Sequence, residues 1–169
     1  LAAGEHPGLT TPVARLTDHP GQAQGLLMPL IPPAHTNLAG PPSLQTCTRD
    51  VYPSGFSLPA ALALNIARDV ADAVAHLHQR GVMHGDLYAH NILIDPLRGQ
   101  AKLGDFGAAT RLPIDPRGLR QGLLKLEVRA MGCLLEELAA HTSAPARQAL
   151  HALAQSCLLP VPNDRPDMT

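Results

Sequence analysis

The sequence predicts one mainly α-helical domain with a short β-hairpin at its centre and two short strands near its start. Three observations carry that expectation. Three stretches, residues 57–81, 123–140 and 144–158, have helical length, and the first repeats its apolar residues at helical spacing. The aliphatic run Ile92-Leu93-Ile94 turns back through Pro96 and Gly99 toward Leu103. A length of 169 residues suffices for one domain with a real core and is short for two.

Taken in order, residues 13–16 and 25–31 read as strands separated by a turn at His19-Pro20-Gly21. Residues 32–55 are rich in Pro, Gly, Ser, Thr and Asn, so an irregular connection is expected, with one short helix near 43–50. The longest helix opens at Ser57-Leu58-Pro59, with Ser57 as N-cap and Pro59 in the first turn, where a missing N–H costs little. Leu62, Ile66, Val70, Val74 and Leu77 then mark one buried face as far as Gly81, placed as a C-terminal stop. His76 and His78 stand two apart and point to different faces, a poor arrangement for sharing a metal ion. Residues 108–122 contain Pro113, Pro116, Gly118 and Gly122 and read as loop. The helix at 123–140 carries Leu126, Met131, Leu134, Leu135 and Leu138, and a last helix follows at 144–158.

Composition excludes several classes. A formal net charge of -1 leaves no electrostatic footprint for nucleic acid or an anionic membrane. Pro29, Pro32 and Pro33 break the best apolar run, so no membrane span is expected, and no signal-peptide pattern is present. Cys47, Cys133 and Cys157 are widely spaced among apolar neighbours and read as reduced thiols of a cytoplasmic protein. The first residue is Leu1 rather than Met, so a segment of a longer protein is expected.

The chemistry concentrates in residues 84–107, HGDLYAHNILIDPLRGQAKLGDFG. A lone Asp-Gly pair commonly marks a turn. Here four features agree in order: His84-x-Asp86-Leu87, Asn91 five residues after that Asp, the hairpin, and Asp105-Phe106-Gly107. Phosphoryl transfer needs an acceptor for the attacking hydroxyl's proton and oxygen ligands for magnesium. Asp86 suits the first task, and Asn91 and Asp105 suit the second.

This stretch resembles the catalytic loop and metal-binding motif of the protein kinases. The resemblance implies a kinase-like large lobe at 32–169, preceded at 1–31 by the end of a small lobe and the hinge. Its cofactors would be ATP and magnesium, and its substrate a protein hydroxyl. Asp86 would be the catalytic base, Asn91 and Asp105 the metal ligands, and Met28, Leu30, Ile31 and Leu93 the nucleotide neighbours, with Leu16 beside them. His84, Phe106, Gly107, Glu127 and Arg165 would be structural supports, Arg165 within the closing Pro162-x-x-Arg165-Pro166 pattern. No glycine-rich phosphate loop, strand lysine or partner glutamate is found, so an upstream small lobe is the implied partner, and the isolated segment is expected to be inactive. The HGDL form and compact C-terminal half resemble bacterial kinase domains attached to leucine-rich repeats, which makes such repeats a candidate neighbour.

Several positions depart from the family pattern. Glu127 stands where the family usually has Asp, and must reach backbone around His84 with one more methylene. Gly85 replaces the Arg that reads a loop phosphate. Serine/threonine kinases carry Lys two residues after the base and tyrosine kinases tend to carry Arg four after; here Tyr88 and His90 stand in the loop, with His90 read as solvated or supporting the hairpin. Thr110 is the one hydroxyl residue between Asp105 and Glu127, and Arg111, Arg117 and Arg120 read as solvated charge. A serine/threonine protein kinase is the expected class. A small-molecule phosphotransferase of the aminoglycoside or choline kinase type shares HGDLxxxN but is opposed by Lys102–Gly107 and Arg165-Pro166. The third reading is a pseudokinase used as a binding module.

Overall fold

A computed structural model describes residues 4–18, 21–22, 24–47 and 49–168. Its centre is helix α1 (Ala60–Gln79), on which Leu62, Ile66, Val70, Val74 and Leu77 are all buried, as their spacing requires. Ser57 does not cap it, and no side chain does. The carbonyl of Pro59 accepts the N–H of Ala63 at 3.0 Å. Just upstream, Leu58 is pinned by its N–H to the His141 carbonyl, 2.7 Å, and by the Thr142 hydroxyl to its own carbonyl, 3.0 Å. Tertiary contacts thus replace the expected cap. Gly81 ends the helix with φ +70°, a conformation that costs an L side chain energy.

A three-stranded antiparallel sheet lies against α1. Strands β5 (Ile92–Asp95) and β6 (Gln100–Leu103) form the expected hairpin, with Ile92 opposite Leu103. Asp95 closes its turn by accepting the N–H groups of Leu97 at 3.0 Å and Arg98 at 3.1 Å. The third strand, β3 (Thr36–Asn37), pairs with β5 from within the stretch read as irregular. Residues 8–10 extend the sheet beyond β6: Leu103 donates to the Gly8 carbonyl at 2.7 Å and Thr10 to the Leu103 carbonyl at 3.0 Å. Among the described residues of 43–50 the expected short helix does not form. Ser43 and Thr46 hydroxyls capture nearby backbone N–H groups instead, which holds the segment in turns.

Two further strand pairs complete the β structure. β1 (Ala14–Leu16) pairs with β2 (Gly25–Leu27), which stops short of residue 31. His19 and Pro20 of the expected turn lie outside the described residues. β4 (Val82–Met83) pairs with β7 (Thr110–Arg111), tying the segment after Gly107 to the strand that leads into His84.

Helix α2 (Arg117–Ala140) starts well before residue 123, so part of the expected loop is helical. Pro116 precedes its first turn, where no N–H is needed, and the glycines at 118 and 122 weaken a helix without stopping it. Helix α3 (Ala146–Cys157) crosses α2 at Gly132. A Cβ on Gly132 would lie 2.8 Å from Leu158 Cγ and 2.9 Å from Cys157 Cβ, so that close approach needs glycine. Among the described residues no helix is long and apolar enough to cross a membrane.

Ile66 is fully buried whereas Leu64 is 41% exposed on the same helix. Ile66→Ala should lower unfolding free energy by about 2–5 kcal/mol, and Leu64→Ala by roughly 0.5 kcal/mol or less. Urea denaturation of both variants checks this, and equal losses would contradict the placement of the core.

Candidate active site

β4 delivers His84 into the interior, where its side chain is fully buried. His84 Nε2 donates to the Gly104 carbonyl at 2.8 Å, because a carbonyl can only accept. That leaves Nδ1 as acceptor for the Asp86 N–H at 3.3 Å. The ring of Phe106 meets the His84 imidazole edge-on with centroids 5.0 Å apart. The chain then turns through a short 3-10 segment, Ala89–Asn91, that brings Asn91 back to Asp86. Asn91 Nδ2 donates to both the main-chain oxygen and Oδ2 of Asp86, each at 2.9 Å. The Asn91 carbonyl accepts the Gly104 N–H at 2.9 Å, so the loop is bonded directly to the residue before Asp105. Asp105 itself is exposed, has φ +53°, and accepts the Gly107 N–H on Oδ1 at 3.0 Å.

Glu127 on α2 holds the start of this loop. It is buried; Oε1 accepts the Gly85 N–H at 2.7 Å and Oε2 the His84 N–H at 3.2 Å. His78 on α1 contacts Oε2 through Nε2 at 2.7 Å. The extra methylene is therefore accommodated, and His78 has a defined partner. Burial pushes the Glu127 carboxyl up, but hydrogen bonds from His78, Gly85 and His84, with the coulombic pull of His78, outweigh it and hold the carboxyl below its ordinary value. Gly85 has φ +81°, and a Cβ there would lie 2.6 Å from the Ala108 carbonyl oxygen. Arg165 is buried and donates to the carbonyls of Leu159 at 2.8 Å and Lys125 at 2.9 Å. Lys125, which the sequence did not single out, is buried beside it with Nζ on the Arg165 carbonyl at 2.7 Å and Asp167 at 2.6 Å.

One cleft of about 570 Å³ gathers the two predicted metal ligands and the four predicted nucleotide neighbours Met28, Leu30, Ile31 and Leu93. Met28, Leu30, Ile31 and Leu93 supply its apolar lining, and Asn91 and Asp105 supply oxygen-bearing side chains. Asp86 is not among its lining residues but is bonded to Asn91. Leu16 is not in the lining either; it lies on β1, 54% exposed. Thr10, Asn37 and His90 line the cleft as well and were not assigned to it. His90 is not simply solvated: its Nδ1 lies 2.7 Å from Asp50 Oδ1, and the Asp50 side chain is wholly buried. That pairing spans forty residues, so no local pattern announces it.

The donor set fits magnesium. Asn91 commits its NH₂ to Asp86, which leaves its amide oxygen available, and Asp105 commits only Oδ1, to Gly107. Magnesium commonly takes one or two protein oxygens and completes its shell with phosphates and water. No cluster of three or more His, Cys, Asp or Glu suited to a metal ion occurs among the described residues.

The candidate site is thus a loop aspartate tied to an asparagine, beside an apolar cleft that also holds a second aspartate. Residues 43–124 match the family described as protein kinase domain. The chain is 37% identical over 94 residues to serine/threonine-protein kinase PrkC of Bacillus subtilis, covering 45% of this chain and 14% of that protein. It is 46% identical over 61 residues to the serine/threonine-protein kinase/endoribonuclease IRE1 of Oryza sativa, covering 34% and 7%. It is 41% identical over 68 residues to eIF-2-alpha kinase GCN2 of Schizosaccharomyces pombe, covering 40% and 4%. Over these stretches the chain is similar to protein kinases, and it spans only a small part of each of these relatives.

Removing the Glu127 carboxylate strands two N–H groups and His78, so Glu127→Ala should cost about 3–5 kcal/mol near neutral pH. A carboxyl held low in the folded state stabilises the fold above its unfolded pKa, and that contribution disappears as pH falls through the folded value. The cost of Glu127→Ala should therefore shrink in acid, below about pH 4. Denaturation of wild type and variant across pH measures it, and a pH-independent difference would contradict an ionised Glu127.

Proposed function

We propose that this chain is the ATP- and magnesium-binding catalytic lobe of a serine/threonine protein kinase, moving the γ-phosphate to a protein hydroxyl when joined to an upstream small lobe. The observation that carries the reading is the convergence of Asn91 and Asp105 with Met28, Leu30, Ile31 and Leu93 on one cleft, with Asp86 bonded to Asn91. Magnesium, when bound, neutralises charge on the phosphates. Asn91 holds Oδ2 of Asp86, which leaves Oδ1 to orient the attacking hydroxyl and take its proton. His84 and Glu127 fix the loop so that this carboxylate does not wander. The apolar lining offers a surface for the base of the nucleotide.

A second reading, a non-catalytic nucleotide-binding module, is favoured by one observation: among the described residues neither Lys nor Arg lines the cleft. Phosphoryl transfer gains much of its rate from fixed cations around the phosphates. Magnesium-ATP binding by the intact protein, followed by transfer of labelled phosphate to protein and small-molecule acceptors, separates kinase, small-molecule phosphotransferase and binding module.

In the intact protein, Asp105→Asn removes a metal ligand and should weaken magnesium-ATP binding. Asp86→Asn should spare binding and slow transfer by about 100-fold or more. Calorimetry and single-turnover assays measure the two effects; normal binding and turnover in both variants would refute the assignment.

Thr110→Ala should leave activity unchanged, and so should phosphatase treatment. Gly85 offers no cation to a loop phosphate, and β7, which contains Thr110, is already paired with β4. A loss of activity on dephosphorylation that Thr110→Ala reproduces would show phospho-regulation.

A further inference from the structure

We propose that His6 is a pH-sensitive latch. Neutral, it holds residues 6–10 against α1 and the outer edge of β6; protonated, it releases that segment and loosens the border of the cleft at Thr10. The inference needs only the fold and does not rest on the nucleotide reading.

The latch is built on a sharp turn at Pro7-Gly8. Within it the Leu9 N–H donates to the His6 carbonyl at 3.0 Å, and the buried Gly8 donates its N–H to His6 Nδ1 at 3.1 Å. The Gly8 carbonyl in turn accepts from Leu103 at 2.7 Å, and the Thr10 N–H returns to the Leu103 carbonyl at 3.0 Å. Thr10 lines the cleft. Its Oγ1 lies 2.8 Å from where a Cβ on Gly104, the residue before Asp105, would stand. One imidazole nitrogen therefore anchors a segment that ends at the cleft.

That nitrogen accepts only while it is unprotonated. A second proton on the ring would occupy Nδ1, turn the acceptor into a donor and strip the Gly8 N–H of its partner, which is costly in the interior.

The surroundings disfavour the charge as well. From α1, the His76 ring lies against that of His6 with centroids 4.8 Å apart, and Arg80 donates through Nε to His76 Nε2 at 3.2 Å. Lys102 of β6 donates to the Pro7 carbonyl. Arg68, Asp69 and Asp72 of α1 line the pocket that His6 shares with Lys102. Asp69 is already engaged there, with Arg68 at 2.9 Å and the Ala101 N–H at 3.0 Å. On the segment itself Glu5 is exposed. Burial first, then His76 and Lys102, hold the His6 imidazole below its ordinary value, with Asp72 pulling the other way. A histidine held low in the folded state stabilises the fold fully above its ordinary value of about 6.5, and that contribution is lost as pH falls below it.

Amide hydrogen exchange of the intact protein at about pH 7.5 and about pH 5.5, a window above the ordinary carboxylate range, tests this. Each rate is divided by that of an unstructured peptide of the same sequence at the same pH. In wild type the amides of Gly8, Thr10 and Leu103 should lose about five- to tenfold of their protection at the lower pH, the linkage expected of one histidine. The Leu112 amide, bonded to the Gly81 carbonyl at 2.8 Å, should not change. His6→Asn, whose Oδ1 can accept the same N–H at either pH, should keep its protection at both. His6→Phe, which keeps a ring but no acceptor, should be loose at both. Unchanged protection in wild type would overturn the proposal. An equal loss in His6→Asn would overturn it too, by placing the titrating group elsewhere, and so would full protection of His6→Phe at the higher pH. Circular dichroism checks that each variant folds; if His6→Phe does not, wild type against His6→Asn decides.

Discussion

One buried carboxylate organises the site. Glu127 takes the N–H groups of His84 and Gly85 and a contact from His78, so α2, α1 and the chain leaving β4 meet at two oxygen atoms. The His84 N–H would otherwise be a polar group in the interior without a partner, which interiors rarely tolerate. From there the order passes outward through bonds, not bulk packing. His84 grips the Gly104 carbonyl, Gly104 donates to Asn91, and Asn91 holds Asp86. Asp86 and Asp105 are nineteen residues apart in sequence, yet the same buried histidine accepts the N–H of the first and grips the residue just before the second.

The departures at Glu127 and Gly85 compensate one another in space. The longer acid reaches the loop backbone, and the residue it reaches has no side chain to displace. The absence of a Cβ on Gly85 also lets the Ala108 carbonyl approach. With β4 paired to β7, the segment after Phe106 rests on the strand that leads into His84 through backbone contacts. Pairing of this kind does not depend on charge, and salt does not screen it as it screens surface ion pairs.

The connection before α1 contributes more than its composition suggests. Asp50 holds His90, and Tyr52 donates to Glu137 on α2 at 2.9 Å while packing against Phe56 and His141. Burial pushes both the Tyr52 phenol and the Glu137 carboxyl up, and the hydrogen bond between them lets the pair stay partly buried. Two of the four aromatic residues of the chain are used in this way to fasten a loop.

The sequence by itself determined the parts that local spacing encodes. The buried face of α1, its stop at Gly81, the hairpin from Ile92 to Leu103 and the order of His84, Asp86, Asn91 and Asp105 follow from periodicity, turn residues and a motif with internal checks. Element starts were less legible: Ser57 is no cap, α2 begins before its glycines, and Ser43 and Thr46 make turns where a helix was expected. In each case contacts with distant or competing groups outweighed a propensity difference of about 1 kcal/mol or less. Tertiary structure alone decided the partners. Nothing near Asp50 in sequence points to His90, nothing near His78 points to Glu127, and Thr10 and Asn37 reach the cleft only because their segments border the sheet. Such pairings depend on which buried polar groups must find each other once the chain is compact, and that need has no period along the sequence.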